Sequence, residues 1–408
     1  MQQIIPISGI FLFLAFSFLI SEKRSAIRWR PLALNLCVLG FLAFFFLATS
    51  PGIRFQEASG SGIAVLVHCA DAGTQSLFSP KLMEDGLYCA ALSILPPIIF
   101  IGALTAVLFH LGILPFLIRV FAWFVTRIAG ITGAEALIAT ANIFLGMVEA
   151  PFAVRPYLAK FTRSELFCMM TSGMATIAGG VMVAYAGMLQ KVGTPPGHLV
   201  IASILSVFSA ILLAKIMIPE TEKTRFDGSA QSEGPRDVNL LDAACRGATE
   251  GTTLALNVLG IMIAFMALIV FVNLLLGLFG NVSGSPLTLQ RLFAWGFSPL
   301  AWLLGIPWSE CGFAGQLLGE KTVLNEFLAY MDLTQPENLA RMSDRSRIIM
   351  TYALCGFANF GSLAIMVGGV SGLIPERRAE MAQLAWRSLI SGTLAAFITA
   401  CLAAIFTV

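Results

Sequence analysis

Apolar residues fall in long runs near 4–20, 31–49, 89–113, 165–189, 198–218, 252–279, 347–374 and 384–407. A helix needs about 20 apolar residues to cross the hydrocarbon core of a bilayer. The pattern therefore predicts an all-α, polytopic membrane protein with about eight transmembrane helices. Two further regions, about 132–159 and 298–330, are apolar but interrupted by Glu, Pro, Asn and Gly. They are predicted to be re-entrant helical hairpins, because non-helical backbone at membrane depth survives only inside protein or around a wet cavity. The stretch Thr221 to Asn239 is the only long polar linker and is expected to form a flexible loop.

Composition agrees. Hydrophobic residues make up 57% of the 408 and charged residues 12%, where soluble domains carry about 25% charge. Mean hydropathy is +0.85. A net charge of +2 gives no reason to expect a nucleic-acid partner. The eight Cys are scattered without a CxxC or Cys/His cluster, which argues against a zinc site or a disulfide framework; at most, Cys69 and Cys89 could meet in an external segment. No Ser/His/Asp set or P-loop appears, so neither an enzyme nor a primary pump is expected.

The basic cluster Lys23, Arg24, Arg28 and Arg30 follows the first apolar run and no basic region precedes it, which places the N-terminus outside. With that orientation Arg119, Arg127, Arg155, Lys160, Arg163, Lys223, Arg225, Arg377, Arg378 and Arg387 fall inside, while Arg341, Arg345 and Arg347 fall outside, against the rule.

An internal repeat is visible. Arg119 to Trp123 (RVFAW) resembles Arg291 to Trp295 (RLFAW), and Gly173 to Gly179 resembles Gly356 to Ser362. Arg163-Ser164 and Arg345-Ser346 precede the second pair. Each half holds a hairpin with an acid, Glu149 or Glu326. The offsets stay similar: 172 residues from Arg119 to Arg291, 177 from Glu149 to Glu326, 183 from Ala175 to Ala358. Combined with the charge-based orientation, this is an inverted repeat, a common plan of secondary transporters, whose sites lie at mid-membrane where broken helices meet. Breaks are expected at Asn142 to Pro151, Ala175 to Gly180, Leu318 to Glu326 and Gly356 to Ser362.

An acid at the centre of a membrane helix costs roughly 2.5–3.5 kcal/mol on insertion scales. Glu149 and Glu326 thus read as functional groups, or else as partners of a nearby Arg or Lys that fix a hairpin. Asn359 and Ser362, three apart, suit either interhelical hydrogen bonds or a ligand. Thr176 could bond back to its own helix.

These segments resemble the concentrative nucleoside transporter family. The resemblance is carried by Asn142 to Pro151 (NIFLGMVEAP), Arg155 to Leu158, Thr162 to Phe167, Ala175 to Val181, Lys321 to Phe327 (KTVLNEF) and Cys355 to Asn359 (CGFAN). It runs from about residue 90 to the C-terminus; the first 80 residues share only hydropathy. It implies a homotrimer of the inner (plasma) membrane, importing nucleosides with sodium by an elevator-type movement. The domains would be 1–114, scaffold helices and an external segment; 115–218, the first transport repeat; 219–284, a cytoplasmic loop and scaffold helix; and 285–408, the second transport repeat. By position, Glu326, Asn359 and Ser362 match ribose-binding groups, Phe357 the sugar side, and Glu149 and Val181 the base side. Asn142, Leu145, Thr176 and Ile177 match the sodium site, and no organic cofactor is implied. One departure stands out. Where the family pattern has Gln followed by Thr or Ser, this chain has Met147-Val148 against the base. The rival readings are a proton-coupled nucleoside symporter of the same fold and a gated pore for small polar solutes.

Overall fold

The computed structural model describes residues 3–77, 90–222, 237–282 and 285–407. Cys89, and with it a pairing with Cys69, lies outside the described residues, as does most of the polar linker. Two-residue strands β1 (Asn281–Val282) and β2 (Ser285–Pro286) form an antiparallel ladder; the other described elements are helical.

Among the described residues, each predicted apolar run folds as helix, with a break at 176–178 in the run 165–189 and at 355–359 in the run 347–374. The first half contains α1 (Ile4–Leu19), α2 (Trp29–Ala48), α3 (Ser50–Leu77), α4 (Ala90–His110) and α5 (Ile113–Ala129). There follow α6 (Gly133–Ala141), a 3-10 turn Ala150–Val154, a single turn Arg155–Leu158, α7 (Arg163–Ala175), α8 (Gly179–Lys191) and α9 (Gly197–Met217). The second half contains α10 (Leu240–Gly277), α11 (Leu289–Leu303), α12 (Trp308–Val323), α13 (Glu326–Thr334), a 3-10 turn Pro336–Arg341, α14 (Asp344–Leu354), α15 (Phe360–Ser371) and α16 (Arg378–Phe406). By length and composition, α2, α7 with α8, α9 and α16 can each cross a membrane; α4 and α5 together pass the same test but meet at a 79° bend. The bend falls at Gly112, whose φ of +75° suits a residue without a Cβ.

The two halves repeat one order: an amphipathic helix (α5 or α11), a hairpin (α6 to Leu158, or α12–α13), a broken helix (α7–α8 or α14–α15) and a long helix (α9 or α16). Local sequence explains the starts. Thr132 with Glu135 caps α6, and Thr162 with Glu165 caps α7, both as reciprocal capping boxes. Ser343 caps α14 through the Ser346 N–H. The breaks lie back to back. The Phe357 N–H donates to the Thr176 carbonyl at 3.2 Å, and a Cβ on Gly356 would stand 2.9 Å from the Ala175 carbonyl oxygen. Only a glycine allows that approach.

Residues 50–77, assigned from sequence to the segment that includes an external stretch, form a continuous helix packed on α2, α4 and α9. Its polar residues are spread rather than clustered, so no break arises. α4 packs closely along α10 where Gly102 faces Gly247 and Gly251, a spacing of small residues that lets membrane helices approach. The core lies among α7, α9 and α16, with Phe167, Leu205, Ile211 and Phe397 buried. By contrast, large apolar side chains are exposed on α1 (Phe11, Leu19), α5 (Phe116, Trp123) and α10 (Ile263, Leu274). Such faces suit lipid or another subunit rather than water.

Candidate solute and cation site

The hairpin tips and helix breaks converge on a cavity of about 680 Å³, within the usual size of small-molecule sites. All eight residues expected at a solute site line it: Met147, Val148, Glu149, Val181, Glu326, Phe357, Asn359 and Ser362. Hairpin 1 supplies the first three, α8 supplies Val181, hairpin 2 supplies Glu326, and the second break supplies the rest. The far wall comes from α4 and α10.

Glu326 is the first residue of α13, where Asn325 caps the helix by accepting from the Leu328 N–H at 2.9 Å. A carboxylate there is favoured by the helix dipole. Its side chain is buried, and Tyr185 Oη and Asn359 Nδ2 each donate to it at 2.8 Å. Asn359 in turn caps α15, its Oδ1 accepting from the Ser362 N–H at 2.7 Å. That double role fixes which way the amide points. Ser362 lines the cavity one turn into α15, so spacing three apart does place both residues at one site.

Glu149 is exposed and lines the cavity, its carboxylate folded toward Gly146, whose φ is +92°. A Cβ on Gly146 would stand 2.8 Å from Glu149 Oε2. Among the described residues, no Lys or Arg forms an ion pair with Glu149 or Glu326. The reading in which a basic partner fixes each acid therefore does not hold. Met147 packs on Gly173 and Val148 on Gly369, so both apolar side chains are wedged between helices while reaching the cavity.

Of the four residues expected around sodium, only Leu145 lines the cavity; Asn142, Thr176 and Ile177 are buried and do not line it. Asn142 Oδ1 is buried without a hydrogen-bond partner. A lone buried acceptor is costly unless something electropositive meets it, and a small cation fits. Thr176 Oγ1 donates to the Ser172 carbonyl at 2.9 Å, as helix back-bonding requires, and keeps its lone pairs.

Sequence reasoning missed Tyr185, the hydroxyl that holds Glu326. Its signal was present: it follows Val181 by four residues, one helical turn on the same face. It stacks on Tyr330 at 4.5 Å between ring centroids. Also missed were Thr105, Arg246 and Glu250, which line the cavity from α4 and α10. Arg246 donates to both Asp237 oxygens, at 2.7 and 2.9 Å, and to Glu250 at 3.0 Å. Nothing in the repeat pattern marks these residues, because they stand on helices outside it.

Family models described as the C-terminus and the N-terminus of Na+-dependent nucleoside transporters match residues 198–404 and 8–81, and one described as nucleoside recognition matches 91–192. The chain belongs to the Na+-dependent nucleoside transporter family. The family match thus reaches into the first 80 residues, which by motif shared only hydropathy. An uncharacterized transporter of Bacillus subtilis, YutK, is 39% identical over 96% of both chains. Human solute carrier family 28 member 3 is 35% identical over all of this chain, which spans 60% of that protein's length. A solved structure of CNTnw in an inward-facing, substrate-bound state superposes with a TM-score of 0.93 at 37% identity, covering 100% of this chain and 98% of that one. A variant of the same protein in an outward-facing state gives 0.94 at 36% identity, covering 100% and 99%. The fold is accordingly that of a polytopic helical membrane protein of this transporter family, and these relatives are transporters rather than enzymes.

Proposed function

We propose that this chain imports nucleosides across the cell's inner (plasma) membrane by symport with sodium. The observation that carries the reading is the buried Glu326 carboxylate, oriented by Tyr185 and Asn359 at the wall of a cavity sized for a nucleoside. An ionised carboxylate is a strong acceptor for the vicinal hydroxyls of ribose. Buried polar groups also reject sugars that lack a hydroxyl, since the site's own groups would be left unpaired. In this reading Glu326, Asn359 and Ser362 bind the ribose, Phe357 flanks it, and Met147, Val148, Glu149 and Val181 face the base.

Sodium is co-transported, held by Asn142, Thr176 and carbonyls near Leu145 and Ile177. It couples to the solute because those residues connect hairpin 1 to the first break, against which Phe357 is hydrogen-bonded. The two hairpin-containing repeats, 115–218 and 285–408, would form the unit that moves in an elevator-type cycle past scaffold helices from 1–114 and 219–284. The exposed apolar faces of α1, α5 and α10 suit lipid and the subunit contacts of a homotrimer.

The test is uptake of labelled uridine and adenosine with and without external sodium. Uptake rises with sodium, and Asn142→Ala weakens that dependence while the protein still folds. Uptake indifferent to sodium and driven by a proton gradient would overturn the sodium assignment.

A further inference from the structure

We propose that α5 and the start of α2 bind the headgroups of anionic phospholipids through Arg119, Arg127, Arg28 and Arg30. One face of α5 is buried through Leu114, Ile118, Ala122, Val125 and Ala129, while Phe116, Phe121, Trp123 and Phe124 are exposed. An amphipathic helix of this kind lies in the membrane interface with its apolar side chains among the acyl chains. Arg119, Trp123 and Arg127 follow at intervals of four, so they form one row along the helix, and all three are exposed. The row continues toward α2. A Cβ on Gly130, just past the end of α5, would stand 3.2 Å from Pro31 Cβ. Arg28, Pro31 and Gly130 also line one small cavity of about 90 Å³. Beside that contact Arg28, Trp29 and Arg30 are exposed, and Trp is the residue that favours headgroup depth.

Among the described residues, none of the four guanidinium groups forms an ion pair. Arg119 Nε donates at 3.2 Å to the Pro115 carbonyl of its own helix, and Arg127 lies over the Trp123 ring at 5.4 Å. No acid stands on α5. Glu135 and Glu220 also line the small cavity, but both pair with Lys215. Glu22, in the same loop as Arg28, pairs with Arg163. The internal repeat supplies a contrast. Arg291 of α11 is the counterpart of Arg119, and its guanidinium donates to the carbonyls of Val282, Ser285 and Pro286 at 2.6, 2.8 and 2.8 Å. α11 has no second basic residue. The repeat copy on α11 is thus occupied by the protein itself, whereas the copy on α5 is left open and carries Arg127 in addition.

The planar fork of N–H donors on Arg matches the oxygens of a phosphate. Here the forks stand among exposed Phe and Trp side chains, so the matching ligand joins a phosphate to acyl chains. A free phosphate would satisfy only the Arg groups. α5 connects α4 to hairpin 1 between Gly112 and Gly130, whose φ values are +75° and +62°. Bound headgroups hold α5 in the interface between those two bends. The inference rests on α5 and its neighbours and not on what the cavity carries.

The experiment titrates the full chain in detergent with phosphatidylglycerol or with phosphatidylcholine of the same acyl chains, read by native mass spectrometry and by melting temperature. Phosphatidylglycerol binds more tightly and raises the melting temperature further. Arg28→Gln and Arg127→Gln each lower that preference by about fivefold, the effect of one basic residue near an anionic surface. Arg127→Lys, which keeps the charge, retains more of it than Arg127→Gln. Neither Arg28 nor Arg127 is hydrogen-bonded to another element, so the variants melt like the parent in phosphatidylcholine. A control, Lys160→Gln with Arg378→Gln, removes two exposed charges elsewhere and leaves the preference unchanged. Equal binding of the two lipids by the parent overturns the proposal. So does an equal loss in the control, which would assign the preference to overall charge. Displacement of phosphatidylglycerol by inorganic phosphate as effective as by the lipid itself also overturns it, in favour of a free-phosphate site.

Discussion

At the scale of single residues, Glu326 is the group on which solute recognition turns. Glu326→Gln should keep the fold but lose about ten- to a hundredfold in nucleoside affinity, since a hydrogen bond to a charged group contributes about 1.5–3 kcal/mol. Tyr185→Phe removes one of the two donors that orient the carboxylate, Tyr185 Oη and Asn359 Nδ2. It should cost about 1 kcal/mol, roughly fivefold. Competition binding with ribosides measures both, and normal affinity in Glu326→Gln would make Glu326 structural. Base preference belongs to Met147 and Val148. Met packs against flat rings and Val can neither donate nor accept, so the base is read by shape rather than by its hydrogen-bonding edge. Purine nucleosides should compete with labelled uridine at least as well as uridine itself. Replacing Met147 with Gln and Val148 with Thr should favour uridine over inosine, because an unmatched base then leaves buried groups unpaired at roughly 1–3 kcal/mol each. Both positions are wedged against Gly173 and Gly369, so the double variant also needs a melting curve to show that it remains packed. If the intact parent rejects purines, these two side chains do not face the base.

At the scale of elements, most helices were legible because their apolar runs and caps are local properties. The hairpins were legible through their interruptions, since Glu, Pro and Asn inside an apolar run mark backbone that leaves the helix at membrane depth and must be sheltered there. What holds elements to one another was not legible. Arg163, at the start of α7, donates to Glu22 in the α1–α2 loop at 2.9 and 3.1 Å and to Glu380 on α16 at 3.5 Å. Those partners are 141 and 217 residues away in sequence. The hydrogen bonds from Arg163, partly offset by burial, hold the Glu22 carboxyl below its usual range, with Arg387 adding to the effect. A lowered folded-state pKa stabilises the protein above the ordinary carboxylate value of about 4.3 and ceases to do so as pH falls through the lowered value. Glu22→Gln should therefore destabilise slightly at neutral pH, by about 1 kcal/mol or less because the pair is partly solvated. The difference from the parent should vanish in acid. A variant gap in melting temperature that persists unchanged in acid would assign the effect to packing instead.

At the scale of the whole molecule, the repeat predicts that hairpins 1 and 2 enter from opposite faces while their tips share a cavity. The second half of that statement is met by the lining residues: Glu149 and Glu326 reach one cavity. The first half is tested by labelling single cysteines in membranes of known orientation. A cysteine at Lys160 should require cytoplasmic access and one at Thr334 external access. Labelling of both from the same side would reject the inverted arrangement, and would give Arg341, Arg345 and Arg347 the cytoplasmic placement that the positive-inside rule asks for.

The sequence by itself determined that this chain is a helical membrane protein, where its helices break and which polar residues sit at the breaks. Hydropathy and capping act over one helical turn or one span, so they are written in consecutive residues. Only the tertiary structure decided what each broken segment meets. It set Tyr185 against Glu326 and left Asn142 Oδ1 without a partner. It turned Arg246 and Glu250 of α10 into the cavity wall. Those relations depend on the angles at which helices cross and on glycines such as Gly356 that let two backbones approach. Crossing geometry is a property of packed surfaces, and no single segment of sequence contains it.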